Sequence, residues 1–489
     1  MRLAGYAGTI LRVDLTRGTI KPEPLSPEGL RDCLGGAGLG IKVLYDEVLP
    51  GTRWSDPENR LIVASGPLGG TAVPGSGTFS VATKGTLTNG ATSTQANGFF
   101  GAYLRLSGFD AIVIQGQAPR LSYLFIEDGK AELRDASHLA GKDTWETTDA
   151  LAMELGGGGD LSVASIGPAG ENLVKFAGIF ADKGHAAAHN GAGAVMGSKR
   201  LKAIAVRAGR QGIPLHDGKK LLALCQKMLE GTKNDPQAAT GLYSWGTLPL
   251  FARFAKGQMY LPVKNYTTNI YPIDPQSLER FTPGYIRSHF SARPTPCYAC
   301  PMHHSHLLTL PEGPYKGKAV DEPEYEGLAA WGSVTGQTDV VWAIYLADLV
   351  DRLGMDTNEA GWTMGLAMEC YEKGLITRED TVGLELTWGN GPATVAMLRR
   401  IARREGFGDT MAEGAMRAAQ RIGGEAPSFA IHGLKGNTPR GHDHRNAWGE
   451  LIDTSVSSTG TLEVRALFLP ESKGLKLADP TYPQETARL

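Results

Sequence analysis

At 489 residues the chain exceeds what one compact core holds, so two or three domains are expected. Its 49 basic and 51 acidic residues leave a formal charge of −2, with no global field to draw in nucleic acid or an anionic membrane surface. Five cysteines (Cys33, Cys225, Cys297, Cys300, Cys370) are too few for a disulfide framework, and no apolar run approaches a membrane span, so a cytoplasmic enzyme without a leader is expected.

The N-terminal 210 residues carry strand signals. Tyr6–Leu15 has partial alternation, and further strands are expected at Leu61–Ala64, Thr78–Thr83, Ala111–Gln115, Tyr123–Glu127, Leu161–Ile166 and Ala203–Ala208. Two helices interrupt them, one opened by Ser26-Pro27-Glu28 and one over Trp145–Leu155. Glycine is abundant: 64 of 489, about 13% against a usual 7%, clustered before residue 210 in short motifs between apolar runs. Glycine so placed makes tight turns or lets backbone approach a ligand. Beyond residue 215 the pattern turns helical, over Asp217–Gly231, Asp339–Leu353, Asn358–Lys373, Pro392–Glu405 and Asp409–Ile422. Gly374, Gly406 and Gly423 stand at helix C-terminal positions.

Between these helices lies the densest group of metal ligands, Pro296-Cys297-Tyr298-Ala299-Cys300-Pro301-Met302-His303-His304-Ser305-His306. Two thiolates at CxxC spacing suit one face of an iron–sulfur cluster or, with two histidines, zinc. Spacing alone leaves iron–sulfur, zinc and no metal equally open.

The order of motifs narrows the choice. Gly35-Gly36-Ala37-Gly38-Leu39-Gly40 precedes Ser65-Gly66-Pro67-Leu68-Gly69-Gly70, Thr83-Lys84-Gly85-Thr86-Leu87-Thr88-Asn89-Gly90 and Asn97-Gly98-Phe99-Phe100-Gly101. Gly167-Pro168-Ala169-Gly170-Glu171-Asn172 and Gly193-Ala194-Val195-Met196-Gly197-Ser198-Lys199 follow, then the CxxC, Pro323-Glu324-Tyr325-Glu326 and Asp351-Arg352-Leu353-Gly354-Met355-Asp356. From about residue 5 to about 466 this string resembles the aldehyde:ferredoxin oxidoreductase family, in that family's order.

The resemblance implies an α+β fold. A β-rich, pterin-cofactor-binding domain of two sheets spans 1–210, and a mainly α-helical region over 211–489 carries the cysteine cluster and substrate channel, its final helical domain incomplete. It implies a tungsten or molybdenum bis-pterin, Mg2+ at the pterin phosphates, a [4Fe–4S] cluster, and oxidation of a small aldehyde or oxo-acid, with electrons passing to ferredoxin or another electron-transfer subunit. Asn97, Gly98, Asn190, Gly191 and Gly193 resemble the loops that approach the pterin phosphates, while Asp351 and Asp356 resemble a pterin-binding carboxylate motif. Glu324 or Glu326 stands where the family's acid/base glutamate lies.

The pattern departs at the cluster. Cys297 and Cys300 lack a third local cysteine, so His304 joins them as the expected metal ligand. Thr78 replaces a frequent arginine, Glu463 replaces a catalytic histidine, and His442 and His444 could substitute chemically. The chain is therefore expected to be a divergent member or a C-terminal truncation. The alternatives are a non-catalytic scaffold subunit with a structural zinc, a pterin-binding protein lacking the cluster, or a same-family reductase of aromatic thioesters. The motifs leave open the substrate, the choice of tungsten or molybdenum, and the oligomeric state, a homodimer being one option.

Overall fold

The computed structural model describes residues 3–234, 241–258, 260–302, 304–446 and 448–457. Strands β1 (Thr9–Asp14), β2 (Thr19–Pro24), β3 (Leu61–Ser65), β4 (Phe79–Lys84), β5 (Ala91–Ala96) and β6 (Ala111–Gln115) form one six-stranded sheet in the order β2-β1-β6-β3-β4-β5. A second holds β7 (Ser122–Glu127), β8 (Lys130–Asp135), β9 (Leu161–Ser165), β10 (Ile179–Ala181), β11 (His185–Ala187) and β12 (Leu201–Arg207) in the order β11-β10-β9-β12-β7-β8. Each sheet is antiparallel except for one parallel pair, β1 with β6 and β7 with β12.

The apolar runs explain the centres of both sheets. In β3 every residue of Leu-Ile-Val-Ala-Ser is buried, and Ile112 and Ile114 of β6 are buried beside it. Each buried leucine, isoleucine or valine among them contributes about 1.5–3 kcal/mol on leaving water. Helices Phe100–Leu106 and Ala192–Ser198 contact strands of both sheets and share their core through Phe100, Leu104, Val195 and Met196. Helix Gly36–Glu47 covers the outer face of the first sheet, and helix Thr144–Glu154 that of the second. Strands β2, β5, β8, β10 and β11 lie outside the sequence expectation. β2 is an exposed edge with two prolines, and β5 is almost wholly polar.

The rest is mainly helical, as the spacing predicts. Helix Val340–Leu353 is buried over Ala343–Val350, and Thr357–Glu372 over Asn358–Cys370. The helix expected over Asp409–Ile422 divides into Phe407–Met411 and Ala415–Ile422, because Gly414 adopts a left-handed φ of 84°. A three-stranded sheet of β13 (Arg293–Pro294), β14 (His306–Thr309) and β15 (Ala319–Asp321) brackets the cysteine loop, closed at its base by the Thr295 N–H donating to Ser305 O at 2.9 Å. Among the described residues no helix is long and apolar enough to cross a membrane.

Candidate functional site

A cavity of about 470 Å³ opens where the two sheets meet the helical region. Asn97, at the exit of β5, and the Asp182–Ala186 turn line one side. The cysteine loop, Asp321–Glu324 after β15 and the last turn of helix Val340–Leu353 line the other. Six carboxylates reach it (Asp182, Asp321, Glu322, Glu324, Glu326, Asp351), against the cations Lys183 and Arg293. Burial holds Asp182, Asp321 and Asp351 toward protonation, so the cavity is rich in hydrogen-bonding carboxyls and suits a ligand that brings N–H donors.

The turn between β10 and β11 holds its residues under strain. Asp182 and Lys183 take φ of 49° and 76°, a left-handed backbone that costs non-glycine residues about 1–3 kcal/mol each. Asp182 Oδ2 accepts from the Phe99 N–H at 2.8 Å, and its Oδ1 accepts from Ser162 Oγ at 2.7 Å. His185 Nε2 stands 3.7 Å from Cys297 Sγ. Gly98 closes over them at φ 91°, and a Cβ there would lie 2.6 Å from Asp182 Oδ2 and 2.7 Å from His185 Cδ2. Burial raises Asp182 and lowers His185, and it pushes the Cys297 thiol up to about 11. Thr78 Oγ1 donates to Asn97 Oδ1 at 2.8 Å.

The two glutamates that the sequence left equivalent differ here. Glu324 Oε1 meets His304 Nε2 at 3.2 Å, and Glu324 Oε2 accepts from Thr247 Oγ1. Burial raises Glu324, but those two bonds outweigh it and hold the carboxyl below its usual range. The same contact raises His304. Glu326 instead accepts the Gly441 N–H at 2.8 Å and so anchors the 439–442 loop.

Asp351 and Asp356 flank the turn between two buried helices and go separate ways. Asp351 lines the large cavity, and no hydrogen bond reaches its carboxylate among the described residues. Burial, then Asp321 and Asp348, raise its pKa well above the carboxylate range, and the helix C-terminus there also disfavours an anion. Asp356 instead caps helix Thr357–Glu372 through Asn358 N and Glu359 N and pairs with His189 at 2.9 Å, in a second, small pocket. Asn190 lines that pocket too, its side chain accepting from Leu87 N and Thr88 N and donating to Thr88 Oγ1. Gly191 and Gly193 pack against the protein itself: a Cβ would fall 1.9 Å from Thr86 Oγ1 and 2.2 Å from Gly178 O respectively.

His442 stacks on Tyr325, ring centroids 5.1 Å apart, and its Nδ1 meets Glu450 at 2.6 Å. Burial works against its charge, yet the Glu450 contact raises it, while Glu450 falls to about 2. Tyr325 OH donates to Gly441 O at 2.5 Å. His444 packs behind, near Tyr266 OH at 3.4 Å, and neither histidine lines the cavity. Glu463 lies outside the described residues. Among the described residues no three His, Cys, Asp or Glu side chains converge as metal ligands, so Cys297, Cys300 and His304 do not form a finished set. Sequence reasoning missed Asp182, His185, Asp321 and Thr247. Their only signals were the Asp182-Lys183-Gly184 turn and the acid-rich run from Asp321 to Glu326.

Comparison with known proteins identifies the fold and its lineage. The family described as aldehyde ferredoxin oxidoreductase, N-terminal domain, matches residues 10–208, and that described as domains 2 & 3 matches 223–489. The tungsten-containing aldehyde ferredoxin oxidoreductase of Pyrococcus furiosus is 39% identical over 96% of this chain and 76% of its own length; that of Thermococcus kodakarensis is 38% identical over the same shares. A WOR-like subunit of aliphatic sulfonate oxidoreductase from Pyrococcus furiosus is 33% identical over 92% of this chain and 73% of its own. The solved active-site complex BamBC of benzoyl coenzyme A reductase, in complex with 1,5-dienoyl-CoA, superposes with a TM-score of 0.81 at 28% identity, covering 90% of this chain and 66% of that one. The chain belongs to the aldehyde ferredoxin oxidoreductase family of oxidoreductases.

Proposed function

We propose that the chain is a cytoplasmic tungsten or molybdenum bis-pterin oxidoreductase that oxidises an aldehyde to its carboxylic acid and passes electrons through an iron–sulfur centre to ferredoxin or a similar electron-transfer subunit. The observation that carries this reading is the single acidic cavity joining Asn97, Cys297, His304, Glu324, Glu326 and Asp351. The tungsten-containing relatives named above support it.

The cavity's chemistry fits a pterin. Asp351 faces it with a carboxylate that no described donor reaches, Asp321 with one that accepts from the Glu322 N–H, and burial strains both toward protonation. An amino-pyrimidine edge offers paired N–H donors, which a carboxylate accepts with both oxygens. Asn97 would present oxygen to Mg2+ at the phosphates. Bound there, the tungsten or molybdenum group supplies the two-electron change and activates a water-derived oxygen.

Proton handling falls to the chain. Glu324, kept ionised by His304 and Thr247, takes the proton released as oxygen adds to the carbonyl carbon, and His304 holds the carboxylate in position. Glu326 is occupied by Gly441 and positions the 439–442 loop. Cys297 and Cys300 would give two thiolates to a cluster, but the described residues group no third ligand with them, so no electron step is traced through it.

A second reading, reduction of an aromatic thioester, draws on the likeness to the BamBC complex. The test is elemental analysis of anaerobically purified protein, followed by aldehyde-dependent viologen reduction. Near-stoichiometric tungsten or molybdenum with aldehyde turnover is expected. Reductant-driven turnover of an aroyl thioester without aldehyde oxidation would move the assignment to the second reading. Zinc alone would sink both and leave the scaffold.

A further inference from the structure

The hairpin of β13 and β14 forms a wall of the cavity, and proton handling by Glu324 and His304 makes no use of its side chains. Its register pairs Arg293 with Leu307 and Pro294 with His306, and the Thr295 N–H extends the ladder to Ser305 O at 2.9 Å. Alternate residues of a strand share a face, so Arg293, Thr295, Ser305 and Leu307 stand together on one side. All four line the cavity. The other side carries His306, buried against Glu322 at 3.2 Å.

The cavity side holds donors that the protein leaves unused. Arg293 is exposed, and no described residue takes a hydrogen bond or an ion pair from its guanidinium. Among the described residues the Thr295 and Ser305 hydroxyls have no hydrogen bond either. Lys183, the other cation of the lining, is paired with Asp149 at 2.5 Å. The glutamates that follow the hairpin in the chain are countered elsewhere, Glu322 by Arg287 at 2.8 Å and Glu324 by His304 at 3.2 Å. Same-face neighbours along a strand lie about 6.6 Å apart, a span that a long side chain bridges. A planar guanidinium meets a carboxylate or a phosphate with two parallel N–H bonds, and the hydroxyls add further donors. Elsewhere the lining is rich in carboxyls, so an anionic end of a ligand has this wall to turn to.

We propose that Arg293, with Thr295 and Ser305, forms a subsite for an anionic oxygen group of the cavity's ligand, a phosphate of the pterin or the carboxylate of an aldehyde acid. This rests on the reading of the cavity as the cofactor and substrate site and deepens it by fixing which end of a ligand lies at β13 and β14.

The test uses the full chain as wild type, Arg293→Gln and Arg293→Lys, purified anaerobically from cells grown with and without tungstate and molybdate. Calorimetry at fixed ionic strength measures binding of inorganic pyrophosphate and of succinate, a readout that needs no turnover. Unloaded wild type is expected to bind at least one of them about tenfold more tightly than Arg293→Gln, at an equal thermal midpoint. Arg293→Lys keeps the charge without the fork and should fall between the two. Loaded wild type that no longer binds either anion, with less tungsten or molybdenum held by Arg293→Gln, assigns the wall to the pterin phosphate. Loaded wild type that still binds succinate, with KM raised about tenfold in Arg293→Gln for a carboxylate-bearing aldehyde but not for an uncharged one, assigns it to the substrate. No binding by unloaded wild type, or equal binding by Arg293→Gln, overturns the proposal. Anion binding that depends on Arg293 in a chain that never acquires tungsten or molybdenum upholds the subsite and defeats the pterin reading instead.

Discussion

The large cavity and the small pocket around His189 are built from the same kinds of residue, yet they use them in opposite ways. In the small pocket, of about 10 Å³, almost all polar capacity is taken up by the protein. Asn190 serves the 86–90 turn, Asp356 caps a helix and pairs with His189, and Glu359 accepts from Thr438 N and Oγ1 and Ala415 N. The Asn358 side-chain oxygen is an exception. In the large cavity Asp351 faces open space with a carboxylate that receives no described hydrogen bond, and Asp321 beside it accepts from the Glu322 N–H. An acid buried with few partners is driven toward its neutral form at a cost in stability, and such acids on a cavity wall point to a ligand. Spent capacity marks architecture; unspent capacity marks the site.

Replacing Glu324 by Gln breaks the cavity side of this contrast most severely. The amide cannot accept a proton, and aldehyde-dependent viologen reduction should fall by about 10²-fold or more, with metal content unchanged. Equal losses in Glu324→Gln and Glu326→Gln would show that the two carboxylates are not divided as their partners suggest. A smaller effect separates the two asparagines. Asn97→Ala should lower bound cofactor with little change in thermal midpoint, since Asn97 meets only Thr78 among the contacts described above. Asn190→Ala should do the reverse, costing about 1–3 kcal/mol by orphaning Leu87 N and Thr88 N while loaded protein keeps its activity. If Asn190→Ala emptied the cofactor without loss of stability, the small pocket would belong to the site.

Much of this contrast was hidden from the sequence for physical reasons. The buried strands β3, β6, β9 and β12 were legible because both faces of each are covered and the apolar runs are continuous. The β10–β11 hairpin was not: its strands have three residues each, and its turn places Asp182 and Lys183 in a backbone region no propensity favours for lysine. His185 was lost with it. Asp351 and Asp356 came as one motif, and only the chain's turn between two helices sends them to different pockets. Likewise Glu324 and Glu326 are separable only through Thr247, His304 and Gly441, which chain order places far away. His442 and His444 have the right chemistry, but Tyr325 and Glu450 hold His442, and neither ring lines the cavity.

The smallest expected effect tests whether the small pocket is purely architectural. Burial raises Glu359 to about 7 against its three donors, well above the ordinary glutamate value near 4.3. The folded state therefore keeps a proton that the unfolded chain has already released, and stability falls as pH climbs from about 4.5 through 7. The loss is bounded at about 3 kcal/mol by the size of that shift. Glu359→Gln stays neutral throughout, so its stability should not carry this slope. Thermal midpoints of wild type and Glu359→Gln, compared between pH 5 and pH 8, should diverge, the variant gaining relative to wild type at the alkaline end. Parallel curves would mean that Thr438 and Ala415 hold Glu359 ionised. The small pocket would then carry a buried charge of its own, and the distinction between the two regions would lie in hydrogen bonding alone.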